Sequence, residues 1–535
     1  MRNWLFIFMI ILTMCGNSFG AEYYIAPNGN DSNPGTLTSP KRTLYAGASL
    51  LSGGDTLYCR GGTYTDSPAT TFYSSRSGTA SSPICIKNYP GETPVFDMIG
   101  SDQYIIYIRS GYRYWVIDGL HFKPSSGRPM VYGIIVLEGD HNAVQNCTFE
   151  GYKANNSSAS NIDDSFIKVY RDTADYNTIQ NNTFKNCGNP SGIGETGDCV
   201  TILDGDYNLV QNNSFSYCGH SSILIKAQFG NVPTYNQIKN NTITSHWGHG
   251  INLVQGTTST DTNLYNLIEG NIITACAENL NYSKVCFAIY GNGNSFRKNV
   301  CYNNYSYGMQ LQQRNQSIIG PCKNNLVYNN VFYGNYADGI NLLIQDTAAN
   351  LSGTIIANNV FAHNMVNLAY RHPGESWHEE IAVINYHSGT DMWGAYSNRV
   401  RNNFIQAYRS AWQNDYVDVY VEQRPNFAVT KKVSEMQATY YNCSGSSGCW
   451  SNNIYNVGDP KFVTPGNGNF QLQPGSPLVD AGIIVNDSVW GNLSYLGSAP
   501  DIGAYEYGGE SPPPPSPPPP DGSAPSAPTG LKIIQ

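Results

Sequence analysis

The sequence DYNTIQNNTFKNCG, residues 175–188, is the clearest copy of a unit that recurs along the chain. Related copies begin at His141, Tyr207, Tyr235, Tyr265, Asn294, Asn324, Thr354 and Asn398. Each copy joins short runs of β-branched or aromatic residues of period two, bounded by Asn and Gly, which is a pattern typical of strands. The copies recur about every 30 residues without helical periodicity, and such a period predicts a solenoid. One unit cannot bury its apolar face alone, so the units must stack on one another.

The composition narrows the classes of partner. The chain has 535 residues, of which only 13% are charged, and its formal net charge is −9. This excess of acid argues against a nucleic-acid backbone as partner. An acidic polysaccharide remains compatible with the composition if a bridging cation or a local cluster of Lys and Arg receives it.

The first 20 residues have the pattern of a signal peptide. Arg2 precedes an apolar run from Trp4 to Met14, and Ser18-Phe19-Gly20 has the small-x-small form of a cleavage site. This run is too short to span a membrane, and no later stretch is long enough. We therefore expect a monomer that is secreted, to the medium or the cell surface, without a membrane span.

Two segments near the N terminus, Tyr23–Asp31 and Gly54–Tyr64, resemble the opening of secreted bacterial right-handed parallel β-helix proteins of the pectate-lyase-like superfamily. The resemblance implies an all-β chain with a short capping helix, for which Pro40–Ser52 is the candidate. Segments at Gly458 and Asp501 resemble the closing part of such proteins. The repeat count predicts roughly 11–12 coils.

The expected organisation has six segments. They are a signal peptide at 1–20, an N-terminal cap with the first coils at 21–97, the parallel β-helix at 98–403, a long loop insertion at 404–457, a C-terminal capping segment at 458–508, and a Pro-rich linker with a disordered tail at 509–535. The capping segment is expected to cover the open edge of the last coil, which would otherwise template aggregation.

A second strand lies between successive copies of the unit, and its outward residues form two rows. Period-two alternation directs every second residue of this strand away from the core. Both rows contain apolar side chains that the core does not need, so we expect loops or a flat ligand to cover this face. The candidate contacts for a polysaccharide are Lys168, Tyr170, Asn252 and Tyr290.

The turn before this strand carries the densest set of ionisable residues in the repeats. Stacking is expected to bring these residues together, and charged residues in a cleft are candidates for a site. They are Asp163, Asp164, Asp198 and His220, with Lys168 and Lys226 further along the strand.

The resemblance to calcium-dependent pectate lyases implies roles for these residues. Asp163, Asp164 and Asp198 would hold Ca2+, because hard oxygen ligands suit this ion. Ca2+ would acidify the proton at C5 of a uronate, and Lys226 would remove it, with Asp198 and His220 also in the catalytic set. β-Elimination would follow. Lys226 would have to give up its own proton to act as this base.

Two other functions stay open at this point. Asp198-Cys199-Val200 followed by Gly219-His220-Ser221 resembles part of the polygalacturonase signature, although Gly197 replaces one Asp of that signature. A non-catalytic surface or adhesion protein is the third hypothesis, because a fold does not determine a function. Asp, Asn and Gly also serve simply as turn residues, which is the structural alternative for each candidate.

The cysteines give a separate expectation. Cys187, Cys218 and Cys276 occupy the same slot of three units, and His246 fills that slot between the last two. Coils about 4.8 Å apart would spread four such ligands over roughly 14 Å, too far for one zinc ion, so we expect a stacked ladder. A Cys187–Cys218 disulfide on adjacent coils is left open, and Cys443 with Cys449 is the expected local pair.

Overall fold

The computed structural model of the chain describes residues 20–65, 72–97, 104–123, 129–130, 133–151, 153–154, 165–187, 197–228, 231–246, 248–254, 265–276, 285–313, 322–344, 351–364, 380–385, 398–406, 419–423, 427–437, 449–455 and 458–509. Nearly all of its regular structure is β-strand. Three long parallel sheets wind into a right-handed parallel β-helix. The repeat predicted a solenoid, and the family resemblance implied this form of it.

The strands are short and succeed one another at regular intervals. The first fourteen are β1 (Glu22–Ile25), β2 (Thr56–Cys59), β3 (Gly62–Tyr64), β4 (Phe72–Tyr73), β5 (Ile84–Asn88), β6 (Pro94–Phe96), β7 (Ile106–Ile108), β8 (Trp115–Asp118), β9 (His121–Phe122), β10 (Pro129–Met130), β11 (Gly133–Leu137), β12 (Ala143–Gln145), β13 (Thr148–Glu150) and β14 (Lys153–Ala154). The central ones are β15 (Ser165–Tyr170), β16 (Thr178–Gln180), β17 (Thr183–Cys187), β18 (Asp198–Leu203), β19 (Leu209–Gln211), β20 (Ser214–Cys218), β21 (Ser221–Lys226), β22 (Gln237–Lys239), β23 (Thr242–His246), β24 (His249–Val254), β25 (Leu267–Glu269), β26 (Ile272–Cys276), β27 (Val285–Ile289), β28 (Ser295–Arg297), β29 (Val300–Tyr302) and β30 (Tyr307–Gln313). The last are β31 (Leu326–Tyr328), β32 (Val331–Tyr333), β33 (Ile340–Ile344), β34 (Ile355–Ala357), β35 (Val360–Ala362), β36 (Ile381–Asn385), β37 (Arg399–Arg401), β38 (Phe404–Gln406), β39 (Val419–Gln423), β40 (Phe427–Lys431), β41 (Trp450–Ser451), β42 (Ile454–Tyr455), β43 (Phe462–Thr464) and β44 (Asn469–Leu472).

Each coil contributes one strand to each of the three sheets. The first sheet has 14 strands and runs from β1 to β41, the second has 13 and runs from β3 to β42, and the third has 13 and runs from β4 to β40. Only β40 in these sheets is antiparallel to its neighbour. The sheets are longer than the roughly 11–12 coils predicted, because residues 21–97 already supply three strands to the first sheet and residues 404–455 continue all three sheets.

Helical structure is scarce in the described residues. Helix α1 (Leu44–Ala48) falls within the predicted capping segment, and the Thr43 side chain accepts a hydrogen bond from the Ala46 N–H at its N terminus. The other helical segments are α2 (Val433–Glu435) and a 3₁₀ helix at Pro465–Asn467. No helix in the described ranges is both long and apolar enough to cross a membrane.

The core consists of side chains stacked in register from coil to coil. The rings of Phe122, Phe149, Phe184 and Phe215 are parallel neighbours on successive strands of the second sheet, with centroids 5.0, 5.0 and 4.7 Å apart. All four are fully buried. The predicted stacking of the repeat units is therefore confirmed here.

Asparagine ladders hold the turns. In one ladder Asn182, Asn213, Asn241 and Asn271 are buried, and the Oδ1 atoms of the last three each accept the backbone N–H of the ladder residue one coil earlier. The residue before each adopts the left-handed conformation; it is Asn before the first three, such as Asn212 at φ 55°, and Gly270 before Asn271. The two residues of each Asn-Asn pair therefore have different roles. The first Asn adopts the turn conformation, and the second hydrogen-bonds to buried backbone groups.

A second ladder, of aromatic rings, follows the corner between the third and first sheets. The rings of His141, Tyr176, Tyr207 and Tyr235 stack with centroids 4.9, 4.9 and 5.1 Å apart. Because the rings stack on each other, they present their edges rather than their faces to solvent. A carboxylate precedes the first three rings, and the backbone N–H of Asp206 donates to Asp175 Oδ1 at 2.8 Å.

Asp175 gives a stability prediction with a defined pH dependence. Burial, followed by repulsion from Asp206, Asp140 and Asp172, raises the pKa of Asp175 to about 6. A folded-state pKa above the unfolded value means that this carboxyl destabilises the fold increasingly as pH rises from about 4 to 6. We expect Asp175→Asn to raise the melting temperature by about 2 °C at pH 8, since Asp175 is only half-buried, and to leave it unchanged at pH 3.5. Melting curves at both pH values test this, and an equal gain at both would contradict it.

The stacked ladder of cysteines is confirmed, but the Cys187–Cys218 disulfide that the sequence left open is not formed. Cys187 pairs in register with Cys218, and His246 with Cys276; all four side chains are buried. Cys218 forms its disulfide with Cys199 and not with Cys187. Cys449 is disulfide-bonded, whereas Cys443 lies outside the described residues.

Residues 458–509, here called the strap, lie along the side of the solenoid. Phe462, Phe470 and Leu478 pack against outward residues of the second sheet such as Tyr302 and Val331. Farther along the chain the strap reaches the first sheet, where Asp487 accepts two hydrogen bonds and forms an ion pair. Its partners are Ser295 at 2.7 Å, Tyr328 at 3.1 Å and Arg297 at 3.6 Å. These contacts differ from the expected cover over the last coil, since they fall on the outer faces of earlier coils.

Candidate functional site

The outer face of the third sheet carries the row of residues that alternation predicted. Strand pairing aligns Lys168, Thr201, Leu224, Asn252, Ala288, Gln310 and Asn341. All are buried, with 9% exposure or less. Asn252 and Asn341 each have a buried side-chain oxygen without a hydrogen-bond partner. The row is therefore a covered surface of mixed polar and apolar side chains. Of the predicted sugar contacts only Tyr170 is partly exposed, since Lys168, Asn252 and Tyr290 are buried.

A bend at the start of the strand brings further polar groups to this face. The side chain of Cys199 enters the core, so its neighbours on the strand cannot follow simple alternation. Asp198 Oδ2 instead accepts a hydrogen bond at 3.3 Å from the Thr201 hydroxyl on the outer face. Ser165, one coil earlier, shares a short hydroxyl–hydroxyl hydrogen bond with the same Thr201. The first residues of these strands thus extend the outer polar surface.

Asp198 and His220 form the centre of the site. His220 Nδ1 lies 2.9 Å from Asp198 Oδ1 and 3.2 Å from the Ser221 hydroxyl. The Asp198 side chain is fully buried and that of His220 is 11% exposed. In the tautomer in which Nδ1 donates to the Asp198 carboxylate, the ring carries its lone pair on Nε2. That tautomer is the arrangement of a positioned general base.

The backbone supports this pair from two sides. The His220 N–H donates to the Gly197 carbonyl at 2.9 Å, and the His249 N–H donates to the His220 carbonyl at 2.8 Å. The rings of His220 and His249 meet edge to face at 5.8 Å. Gly197 has φ 94°, a conformation that a side chain would strain. Local backbone geometry therefore aims Asp198 and His220 at each other.

The other candidates from the sequence do not join this pair. Lys226 is the last residue of β21, whereas His220 immediately precedes that strand. Six residues of extended chain separate their Cα atoms by about 20 Å, so Lys226 and His220 cannot act on the same atom. Asp163 and Asp164 lie outside the described residues. The structure thus supports Asp198 and His220 as neighbours and separates Lys226 from them.

The predicted calcium ligands can be tested only at Asp198. Both of its carboxylate oxygens are engaged, one by His220 and the other by Thr201. Within the described ranges no three His, Cys, Asp or Glu side chains are grouped so as to hold a metal ion. The other two predicted ligands, Asp163 and Asp164, lie outside the described residues, so the set of three stays a prediction.

A basic and aromatic cluster lies one coil toward the N terminus and at the opposite end of the strands from Asp198, in register with Lys226. The Arg171 guanidinium lies 4.8 Å from the centroid of Tyr170, and the Lys168 ammonium lies 5.9 Å from it. Arg171 also pairs with Glu138 at 3.1 Å, and burial, reinforced by a hydrogen bond to Glu138, raises the pKa of Tyr107. The sequence reading missed Arg171 because it lies one residue beyond the strand, although its position beside Tyr170 was visible.

Comparison with known proteins gives partial matches. The family described as Pel9A-like, right handed beta helix region, matches residues 23–196, which ends just before Asp198. Pectate lyase PEL9 of Emericella nidulans is 36% identical over 77 residues, covering 14% of this chain and 18% of the relative. Pectate lyase L of Paenibacillus polymyxa is 33% identical over 129 residues, covering 23% and 27%. The matched segments thus span less than a third of either relative.

Among solved structures, the crystal structure of pectate lyase Pel9A covers 92% of this chain and 98% of its own, at 18% identity and a TM-score of 0.39. A mannuronic acid specific polysaccharide family 6 lyase from human gut microbiota covers 75% and 83%, at 13% identity and a TM-score of 0.44.

Proposed function

We propose that this chain, a pectate-lyase-like right-handed parallel β-helix protein, is a polysaccharide lyase that cleaves a uronate polymer by β-elimination. The observation that carries the proposal is the Asp198–His220 pair on the outer face of the third sheet. The similarity to pectate lyases over part of the chain supports the reaction class. The basic and aromatic cluster on the same face supports an acidic polymer as substrate.

The proposed chemistry assigns one step to each described group. His220 Nε2 takes the C5 proton of the uronate, the electron pair forms the C4–C5 double bond, and the C4–O4 bond breaks. Asp198 fixes the tautomer of His220 and stabilises the imidazolium that forms. The leaving O4 gains a proton, which water or the imidazolium supplies. The products are an unsaturated sugar and a new chain end.

Ca2+ remains part of the proposal only as a charge that would neutralise the uronate carboxylate. No step above depends on the ion, because Asp163 and Asp164, two of its three predicted ligands, lie outside the described residues. Activity that is lost with a chelator and regained with Ca2+ would support a bound ion.

The basic and aromatic cluster gives a prediction about substrate affinity. Arg171→Ala is expected to raise KM about fivefold with kcat nearly unchanged, because one exposed cation contributes about 1 kcal/mol to binding. Lys87→Ala removes a comparable cation beside a tyrosine ring, 5.9 Å from the centroid of Tyr58 on the first sheet, and should leave KM unchanged. Steady-state kinetics on a uronate oligosaccharide measure both, and equal effects would remove the cluster from the substrate path.

A hydrolase is the weaker alternative for this site. Hydrolysis needs two carboxyl groups within about 5–9.5 Å. The next carboxylate in the row of strand starts, among the described residues, is Asp338, five strands beyond Asp198 and about 24 Å away. A binding or adhesion protein remains the alternative from another class, and the partly exposed Tyr170 and Arg171 would serve it equally well.

Export is part of the proposal. The Cys199–Cys218 disulfide supports an oxidising compartment, as does the signal-peptide pattern of the first 20 residues. The expected monomeric state rests on the sequence alone.

The proposal is tested with purified protein on polygalacturonate, alginate, chondroitin and neutral glycans, with Ca2+ and with chelator. Ultraviolet absorbance of unsaturated sugars and the number of reducing ends are recorded together. Both signals should rise on a uronate polymer. Reducing ends without absorbance would favour the hydrolase, and binding without either signal would favour the adhesion protein.

A further inference from the structure

We infer that the Cys199–Cys218 disulfide positions the Asp198–His220 pair, an inference that rests on the proposed function of that pair. Cys199 directly follows Asp198, and Cys218 precedes His220 by two residues. The disulfide and the Asp198–His220 hydrogen bond therefore close nearly the same loop, over 19 and 22 residues. A covalent tie lies beside each partner of the hydrogen bond.

The backbone around the pair needs such a tie. Glycines precede both partners, Gly197 before Asp198 and Gly219 before His220, and glycine restricts the chain least. The Cys199 and Cys218 side chains are fully buried in the core. The disulfide thus anchors both glycine-flanked turns to the most rigid part of the solenoid. Small displacements of a base cost large factors in rate, so its effect should fall on catalysis more than on substrate binding.

The third cysteine of this region provides the matched control. Cys187 is buried, forms no disulfide, and pairs in register with Cys218. Its thiol donates to the Asp198 carbonyl at 3.2 Å, and a serine hydroxyl can donate in the same way. Cys187→Ser therefore perturbs the same core layer and leaves the disulfide intact.

The experiment compares the full chain with the pair C199S/C218S and with Cys187→Ser. The first readout is solvent exchange of the His220 ring N–H in ¹⁵N-histidine-labelled protein, and the second is kcat and KM. In C199S/C218S we expect exchange at least tenfold faster, kcat at least tenfold lower and KM within twofold. Cys187→Ser should match the wild type in all three.

Each outcome decides the inference. Unchanged exchange in folded C199S/C218S would overturn it. If the serine pair fails to fold, C199A/C218A replaces it, because apolar groups are better tolerated in a core; failure of both pairs would make the disulfide a folding determinant and would also overturn the inference. Faster exchange in a protein whose wild type cleaves no polymer would leave the positioning role standing and reject the proposed function.

Discussion

His220→Asn is expected to lower kcat on a uronate polymer by about 10²–10⁴, the range that a general base contributes, while KM stays within about twofold. The asparagine Nδ2 can donate to Asp198 in place of His220 Nδ1, so the buried carboxylate keeps a partner. What the variant loses is Nε2, the proposed proton acceptor. Initial rates of unsaturated-sugar formation measure the effect.

His141→Asn is the control for this substitution. His141 lies in the aromatic ladder at φ 57°, and Asn324 occupies a corresponding turn position at φ 55°, so asparagine fits the backbone there. We expect unchanged kinetics. A His220→Asn variant that keeps more than about a tenth of the activity would exclude His220 as the base, since a base contributes at least about 10².

Asn241→Leu is expected to lower the free energy of unfolding by about 4 kcal/mol. Its Oδ1 accepts from the backbone N–H and side chain of Asn213, both at 3.0 Å, and its Nδ2 donates to the Val210 carbonyl at 2.9 Å. Leucine leaves the Asn213 N–H and the Val210 carbonyl buried without these partners, and each such group costs about 1–3 kcal/mol. Denaturant unfolding followed by circular dichroism measures the loss.

Asn240→Gly, at the neighbouring position, is the matched control for Asn241→Leu. Asn240 is exposed and has φ 54°, a conformation that glycine adopts without strain. We expect a change below about 0.5 kcal/mol, as for ordinary surface substitutions. Similar losses from both variants would mean that the turn conformation, and not the buried amide, stabilises the coil.

The parts of the fold that repeat could be read from the sequence. Stacking forces equivalent residues into register, so the stacked Phe184 and Phe215 and the ladder residues Asn182 and Asn213 follow from the repeat. The outward direction of Lys168 follows from alternation. The helix within Pro40–Ser52 was visible from the family resemblance.

The contacts of the strap could not be predicted in this way, because its sequence is not part of the repeat. Its Asp487 contacts Ser295 across 192 residues, and no repeat or spacing signals a contact of that range.

The sequence predicted which residues belong to the candidate site better than it predicted how they are arranged. Asp198 and His220 were identified together because their units are adjacent. Lys226 was grouped with them because it is near in sequence, yet an extended strand converts six residues into about 20 Å. The bend at Cys199, which turns Asp198 outward, and the choice of Cys199 over Cys187 as the partner of Cys218 depend on corner geometry that alternation does not encode.

The sharpest test of the proposed site is a crystal structure of the His220→Asn variant with a uronate oligosaccharide that the wild type cleaves. The sugar should lie across the outer face of the third sheet, with one C5 atom next to residue 220 and a carboxylate toward Arg171. An oligosaccharide bound only along the aromatic ladder, on the strap or on the second sheet would contradict the assignment of the reaction to Asp198 and His220.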